Sequence, residues 1–221
     1  MLFDAGNTLV FLDYARLAEG VGALLGLSLT GEGLARHGPA AARAMELATG
    51  TDQQRATAYL EALFLLGGVP REALGQVRDC LGRMHRERHL WSSVADRSAE
   101  ALEKLRQAGL KLGVVSNSDG RVEQALDAAG LRQYFDVIID SALVGMEKPD
   151  PRIFHAALNA LGVKPEETLY VGDLYEIDVL GARAAGMEAV LLGTAEASGD
   201  PTCRTSPSLM DLVNELLSGK R

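Results

Sequence analysis

Apolar and polar residues follow two different rhythms along this chain, and the change falls near residue 93. Beyond it, short and nearly continuous apolar runs alternate with stretches of helical period. Ala101, Leu102, Leu105 and Ala108 line a helix that Gly109 ends, and the run Lys111–Ser116 (KLGVVS) reads as a strand. Val122, Leu126 and Ala129 line the next helix, closed by Gly130, before the strand Phe135–Ile139 and a helix over Ile153–Leu161. Thr168–Val171 (TLYV) is a further strand, followed by a helix over Ile177–Ala185 stopped by Gly186, the strand Glu188–Leu192 and a last helix from Pro207 to Leu217. Ser206 is the expected N-cap of that last helix, with Pro207 at its first position. With Met1–Phe3, this makes about five buried strands separated by helices. Such a pattern predicts an α/β fold: a Rossmann-like, doubly wound parallel sheet covered on both faces.

Before residue 93 the rhythm is helical only. Tyr14, Leu17, Val21, Leu24 and Leu25 recur at helical spacing, as do Tyr59, Leu60, Leu63 and Phe64, then Leu74, Val77 and Leu81. Gly31, Gly33, Gly38-Pro39, Gly50 and Gly67-Gly68 read as punctuation between these helices, and no credible strand appears. The expected organisation is therefore an α/β core over 1–12 and 92–221, with a helical domain over 13–91 inserted directly after the first strand. Both crossings, near Leu12-Asp13 and near Trp91–Ala95, are expected close to the Asp4 turn, so a lid that opens and closes over the site is the expected arrangement. Only three residues precede Asp4, fewer than the five or six of a usual strand, so either this strand is short or the native terminus is longer.

Composition narrows the function. A net charge of −8 disfavours a nucleic-acid or anionic-membrane surface. The two cysteines, Cys80 and Cys203, give neither a disulfide framework nor a metal cluster. The start shows no basic segment followed by an apolar run, and no stretch reaches membrane-spanning length, so a cytoplasmic protein is the expectation. Oligomeric state is not legible.

The candidate chemistry sits at the ends of the predicted strands. Asp4 follows Met1–Phe3; Ser116-Asn117-Ser118-Asp119 follows KLGVVS; Lys148-Pro149-Asp150-Pro151 opens the helix from Ile153; Gly172-Asp173, with Asp178 five residues on, follows TLYV. In a parallel sheet these loops converge at one edge. Each residue alone has an ordinary reading as a helix cap, a turn acid or a solvated lysine. Together they suit phosphoryl transfer. A carboxylate at Asp4 can attack phosphorus, and Lys148, Ser116 and backbone amides near 5–7 can compensate the equatorial oxygens. Asp4 and Asp173 can hold Mg²⁺, with Asp178 orienting those ligands.

The segments FDAGNTLV, VVSNSDG, the Lys148 of GMEKPDPRIF, and YVGDLYEIDVLGARAAG resemble, over essentially the whole chain, the four motifs of the haloacid dehalogenase superfamily with an inserted helical cap. The resemblance implies a phosphatase-like hydrolase with Asp4 as nucleophile, Ser116 and Lys148 binding phosphate, and Asp173 as a Mg²⁺ ligand. It further implies that the Gly6 backbone carbonyl completes the metal site and that Asn117 contacts substrate. The implied partner is a small phosphorylated metabolite.

The chain departs from that pattern at Gly6. In the family's phosphatases this position is a second Asp that protonates the leaving group and then activates water, work worth about 10²–10⁴-fold. Three chemistries follow. A phosphatase takes its proton from elsewhere, with Asp13, Tyr14, His37, His85 and His89 present in the inserted sequence. A dehalogenase needs no acid, but is metal-independent in this family, which Gly172-Asp173 with Asp178 argues against. A phosphonate-cleaving enzyme needs a lysine in the inserted domain, and none precedes Lys104. A silent member that binds a phosphorylated ligand or a protein partner stays open beside them. Arg16, Arg36, Arg43 and Arg55 read as solvated helix faces.

Overall fold

The computed structural model describes residues 1–193 and 199–219. The chain divides into two compact units: Met1–Phe11 with Ser93–Arg221, and Leu12–Ser92. In the first unit six strands form one sheet: β1 (Leu2–Phe3), β4 (Gly113–Ser116), β5 (Val137–Asp140), β6 (Leu169–Gly172), β7 (Glu188–Leu192) and β8 (Thr205–Ser206). Their order is β5-β4-β1-β6-β7-β8, and every pairing between them is parallel.

A strand of only two residues, β1, lies at the middle. Leu2 pairs with Gly113 on one side and Tyr170 on the other, and Phe3 pairs with Val114 and Val171. Two residues suffice because both side chains are fully buried and both edges are hydrogen-bonded. The Asp4 N–H extends the ladder to Val171 O at 2.8 Å. Gly113 permits the close packing here: a Cβ at that position would lie 2.6 Å from Val137 and 2.8 Å from Leu2. Since the chain leaves β1 to build strands on both sides of it, the loops after β4 and β6 diverge and leave a crevice beyond β1.

Strand alternation divides the core. Leu2, Val115, Tyr170 and Leu191 pack with Ile153, Phe154, Ala157 and Leu158 of α8 (Pro151–Leu161) and with Ala182 of α9 (Leu180–Ala184). Phe3, Val114, Val171 and Val190 point the other way and are equally buried. α5 (Ser98–Gln107) and α10 (Leu209–Leu217) pack on each other. The remaining helices of this unit are α6 (Val122–Ala128) and α7 (Ser141–Val144).

The second unit is built from α1 (Tyr14–Leu25), α2 (Gly31–Leu47), α3 (Asp52–Leu66) and α4 (Leu74–Glu87), around Leu17, Val21, Leu34, Leu63, Phe64, Val77 and Leu81. Strands β2 (Val10–Leu12) and β3 (Trp91–Val94) pair as a separate two-stranded sheet where the chain passes between the units.

Several sequence expectations are corrected. Gly31 opens α2, but Gly33 and Gly38-Pro39 do not punctuate helices; they lie within it. A proline inside a helix costs roughly 3 kcal/mol, and the packing of α2 along α1 and α3 overrides that preference. The sheet has a sixth strand, β8, and β2 and β3 also escaped the pattern; β8 and β2 are too short for a period to show, and β3 (WSSV) carries no apolar run. Ser206 belongs to β8, paired with Leu192, so the cap of α10 is Ser208, whose side chain accepts from the Asp211 N–H at 3.1 Å. The expected helix over 177–185 is a π-turn, Tyr175–Val179, followed by the shorter α9.

Candidate active site

The loop after β1 is tight. The Leu9 and Val10 N–H groups both donate to Ala5 O at 2.9 Å, and the Asn7 N–H donates to Val10 O at 2.8 Å. Asn7 closes the turn in the left-handed region at φ 52°, which asparagine tolerates better than most side chains. Its side chain hydrogen-bonds Asp173. Gly6, two residues past Asp4, is half-buried and bridges Val10 through its backbone. Asp4 itself is buried, and the Ala5 N–H donates to its carboxylate.

Lys148 reaches this carboxylate from the loop before α8. Its Nζ donates to Asp4 Oδ1 at 2.6 Å, to Asp178 Oδ1 at 2.7 Å and to the Tyr170 hydroxyl at 3.1 Å. Its backbone is clamped as well: the Lys148 N–H donates to Asn117 Oδ1 at 2.7 Å, and Asn117 Nδ2 donates to Lys148 O at 3.0 Å. The Lys148–Pro149 peptide is cis.

Asp178 is fully buried, and each of its oxygens has partners. Oδ1 accepts from Lys148 and lies 3.1 Å from the Tyr170 hydroxyl; Oδ2 accepts from the Asp173 and Leu174 N–H groups at 3.1 and 3.0 Å. The π-turn turns this carboxylate back over the end of β6. Gly172 makes the approach feasible, since a Cβ there would fall onto the Asp178 carboxyl group. Buried carboxylates need this degree of satisfaction.

The electrostatics follow from burial. Three carboxylates (Asp4, Asp173 and Asp178) offer oxygens within 4.8 Å of one another, and Lys148 is the cation bonded to two of them. Desolvation is the main force pushing the Asp4 carboxyl up to about 6; Lys148 opposes it and the charge of Asp178 adds to it. Asp173 is raised well above its ordinary value, first by burial and then by the charges of Asp4 and Asp178. Burial works against the Lys148 ammonium, yet Asp178 and Asp4 outweigh it and raise its pKa, so it stays charged. Burial, then the nearby carboxylates, raise the Tyr170 phenol, which stays neutral. Fully ionised, the cluster holds a net of two negative charges in a desolvated site. An all-oxygen donor set with that surplus fits a hard divalent cation such as Mg²⁺. With both Asp178 oxygens engaged, Asp4 and Asp173 are the carboxylates placed to hold it.

The structure thus brings Asp4, Lys148, Asp173 and Asp178 into one cluster. Ser116 ends β4, the neighbour of β1; it is buried, and its hydroxyl makes one long contact, 3.4 Å to Asn117 O. Asn117, expected to contact phosphate, has its amide committed to Lys148, leaving one N–H and one lone pair for anything else. Of the candidate proton donors in the second unit, Asp13 caps α1 and pairs with Arg88 at 2.9 Å, and the Tyr14 and Tyr59 hydroxyls meet at 2.8 Å. The Arg16 guanidinium donates to the carbonyls of Met84, Arg88 and His89 rather than facing solvent.

Three residues escaped the sequence reading. Tyr170 looked like one more residue of an apolar strand, its one signal being a hydroxyl on the inward face of TLYV. Asp140 caps α7 and accepts from the Gly120 and Val122 N–H groups at 3.0 and 3.2 Å; the Ser141 hydroxyl accepts from the Ser118 N–H at 3.0 Å and donates to Ser118 O at 3.2 Å. These two residues shape the loop after β4, and nothing in their sequence context distinguishes them from ordinary cap residues.

An acid beyond the middle strand, a clamped lysine and paired acids after the neighbouring strand meet at the switch-point crevice, where open α/β folds bind their ligands. A model of the haloacid dehalogenase-like hydrolase family matches residues 1–186, and the chain belongs to that family. Among relatives, it is 44% identical over 126 residues to haloacid dehalogenase-like hydrolase domain-containing protein 3 of Bos taurus, covering 53% of this chain and 50% of that protein. It is 38% identical over 157 residues to a phosphoserine phosphatase of Thermus thermophilus, covering 70% of this chain and 60% of that protein. The matches therefore span about half to three-fifths of these relatives' length. The structure of the putative HAD-hydrolase YfnB from Bacillus subtilis shares the fold at 22% identity, with a TM-score of 0.70 over 98% of this chain and 97% of that one. No helix among the described residues is long and apolar enough to cross a membrane.

Proposed function

We propose that the chain is a Mg²⁺-dependent phosphoric monoester hydrolase acting on a small phosphorylated metabolite through an aspartyl-phosphate on Asp4. The observation that carries this reading is the buried Asp4–Lys148–Asp178 chain of contacts with Asp173 beside it, a set whose surplus charge calls for a cation before any anion enters. Asp4 attacks phosphorus, its P–O bond forming as the bond to the leaving oxygen breaks. Lys148, Ser116 and the N–H groups of the 5–7 turn bind the equatorial oxygens and stabilise their charge. Asp4, Asp173 and the Gly6 carbonyl would hold Mg²⁺, which when bound draws charge from the phosphoryl oxygens. Asp178 orients Lys148 and the backbone at 173–174. Residues 13–91 act in this reading as the cap that selects substrate, a role supported by the place of their insertion, directly after the nucleophile's loop. A phosphoserine phosphatase among the relatives agrees with a small phosphorylated substrate.

Gly6 supplies no proton, so leaving groups that are stable as anions are turned over best. Metal-independent dehalogenation of a haloacid is disfavoured because, without a bound cation, the surplus negative charge of the three carboxylates over Lys148 repels an anionic substrate. Gly6 does favour one second reading, a member that binds phosphorylated ligands without efficient turnover. Hydrolysis of an activated aryl phosphate with and without Mg²⁺, with Asp4→Asn as control, separates the two. The phosphatase reading expects metal-dependent turnover abolished by Asp4→Asn. Phosphate binding without any metal-dependent turnover would replace it by the silent reading.

A further inference from the structure

The Lys148 ammonium has three N–H groups, and all three are engaged: by Asp4, by Asp178 and by the Tyr170 hydroxyl. A phosphate oxygen can reach this lysine only if one partner yields. Building on the phosphatase reading, we infer that Tyr170 is that partner: its hydroxyl occupies the Lys148 N–H that a substrate phosphate takes over, and so sets the site's affinity for oxyanions.

The geometry singles out Tyr170. The bonds to Asp4 and Asp178, at 2.6 and 2.7 Å, join opposite charges, whereas the one to Tyr170, at 3.1 Å, has a neutral acceptor. All three have a charged donor, but only the two carboxylates add the attraction of a full opposite charge, so the tyrosine contact is the weakest to give up. Tyr170 also loses least by the exchange. Its own hydroxyl proton still has an acceptor, Val115 O at 3.2 Å or Asp178 Oδ1 at 3.1 Å, so no buried group is left without a partner. The ring stays fixed, packed edge-on against Phe154 with centroids 5.0 Å apart. Tyr170 is therefore a positioning residue acting through Lys148, and it competes with phosphate for the ammonium.

The sign of the effect is the test. Tyr170→Phe keeps the ring and removes the competitor, so inorganic phosphate binds the full chain roughly tenfold more tightly in Mg²⁺, about the worth of one such hydrogen bond. KM for an aryl phosphate falls alongside while kcat does not rise. Damage to the site would act oppositely and weaken phosphate binding. Calorimetric titration of inorganic phosphate into wild type and Tyr170→Phe reads this directly; equal or weaker binding by the variant overturns the inference. Should the variant not fold, the wild type carries the test. Saturation with phosphate is expected to give a tyrosine near-ultraviolet difference spectrum as the phenol loses its cationic donor, and its absence overturns the inference. If wild type binds no phosphate, the phosphatase reading fails and takes this inference with it. If wild type binds and the variant is unchanged, the inference alone fails.

Discussion

Replacing Lys148 by methionine removes one ammonium from a site that holds three carboxylates, and the consequence is large and pH-dependent. The side chain is 2% exposed and its two charged partners are 11% and 0% exposed, so neither acid can turn to water without opening the structure. Removing one partner of a buried ion pair costs about 3–5 kcal/mol. Against a typical total stability of about 5–15 kcal/mol, that is a substantial fraction. Asp4 already has its pKa raised to about 6 by burial with Lys148 in place, and without the lysine it rises further. A folded-state pKa above the unfolded one leaves stability intact below the unfolded value and removes it as pH rises through the folded value. The variant's deficit is therefore small near pH 4 and full at pH 8. Urea denaturation followed by circular dichroism at both pH values, for wild type and Lys148→Met, measures it. A deficit below about 1 kcal/mol at pH 8, or the same deficit at both pH values, would refute the picture of a desolvated cluster.

Three further outcomes follow from the same cluster. Mg²⁺ offsets the burial and the mutual repulsion that raise Asp4 and Asp173, so it lifts Tm at pH 7.5 and loses that effect near pH 5, where protons compete for the same oxygens; a pH-independent lift would place the ion elsewhere. Gly172→Ala drives a methyl group into the Asp178 carboxyl group; thermal melts should show roughly 1–3 kcal/mol of destabilisation, with activity falling at least about tenfold as the lysine anchor shifts, and unchanged kinetics would refute the close approach. Gly6→Asp is expected to raise turnover of alkyl phosphates by about 10²-fold or more and to change activated aryl phosphates little; equal effects on both, measured as kcat/KM, would show that proton donation does not limit the native chain.

Much of the fold was legible because buried parallel strands and the helices between them have distinct hydrophobic periods. The strands around 113–116, 137–140, 169–172 and 188–192 are apolar runs bounded by glycine or polar loops, and tertiary context did not need to rescue them. The missed elements share a physical cause. β8 has two residues, and β2 and β3 carry three and four. Pairing partners distant in sequence stabilise such strands, and no local pattern records those partners. α2 runs through Gly38-Pro39 for the related reason that packing, not propensity, decides marginal helices.

The sequence by itself determined which groups would carry charge and where along the chain they would fall: an acid after the first strand, a serine after the second run, a lysine before a helix and two acids after TLYV. It also determined the absence of an acid at Gly6. Only the tertiary structure decided how those groups use one another. Asn117 clamps a backbone 31 residues away, Tyr170 completes the coordination of Lys148, and Asp178 turns all its lone pairs inward. Those assignments depend on ångström-scale proximity across strands that meet only on folding. Composition and spacing fix what a side chain can donate or accept, and the fold fixes to whom.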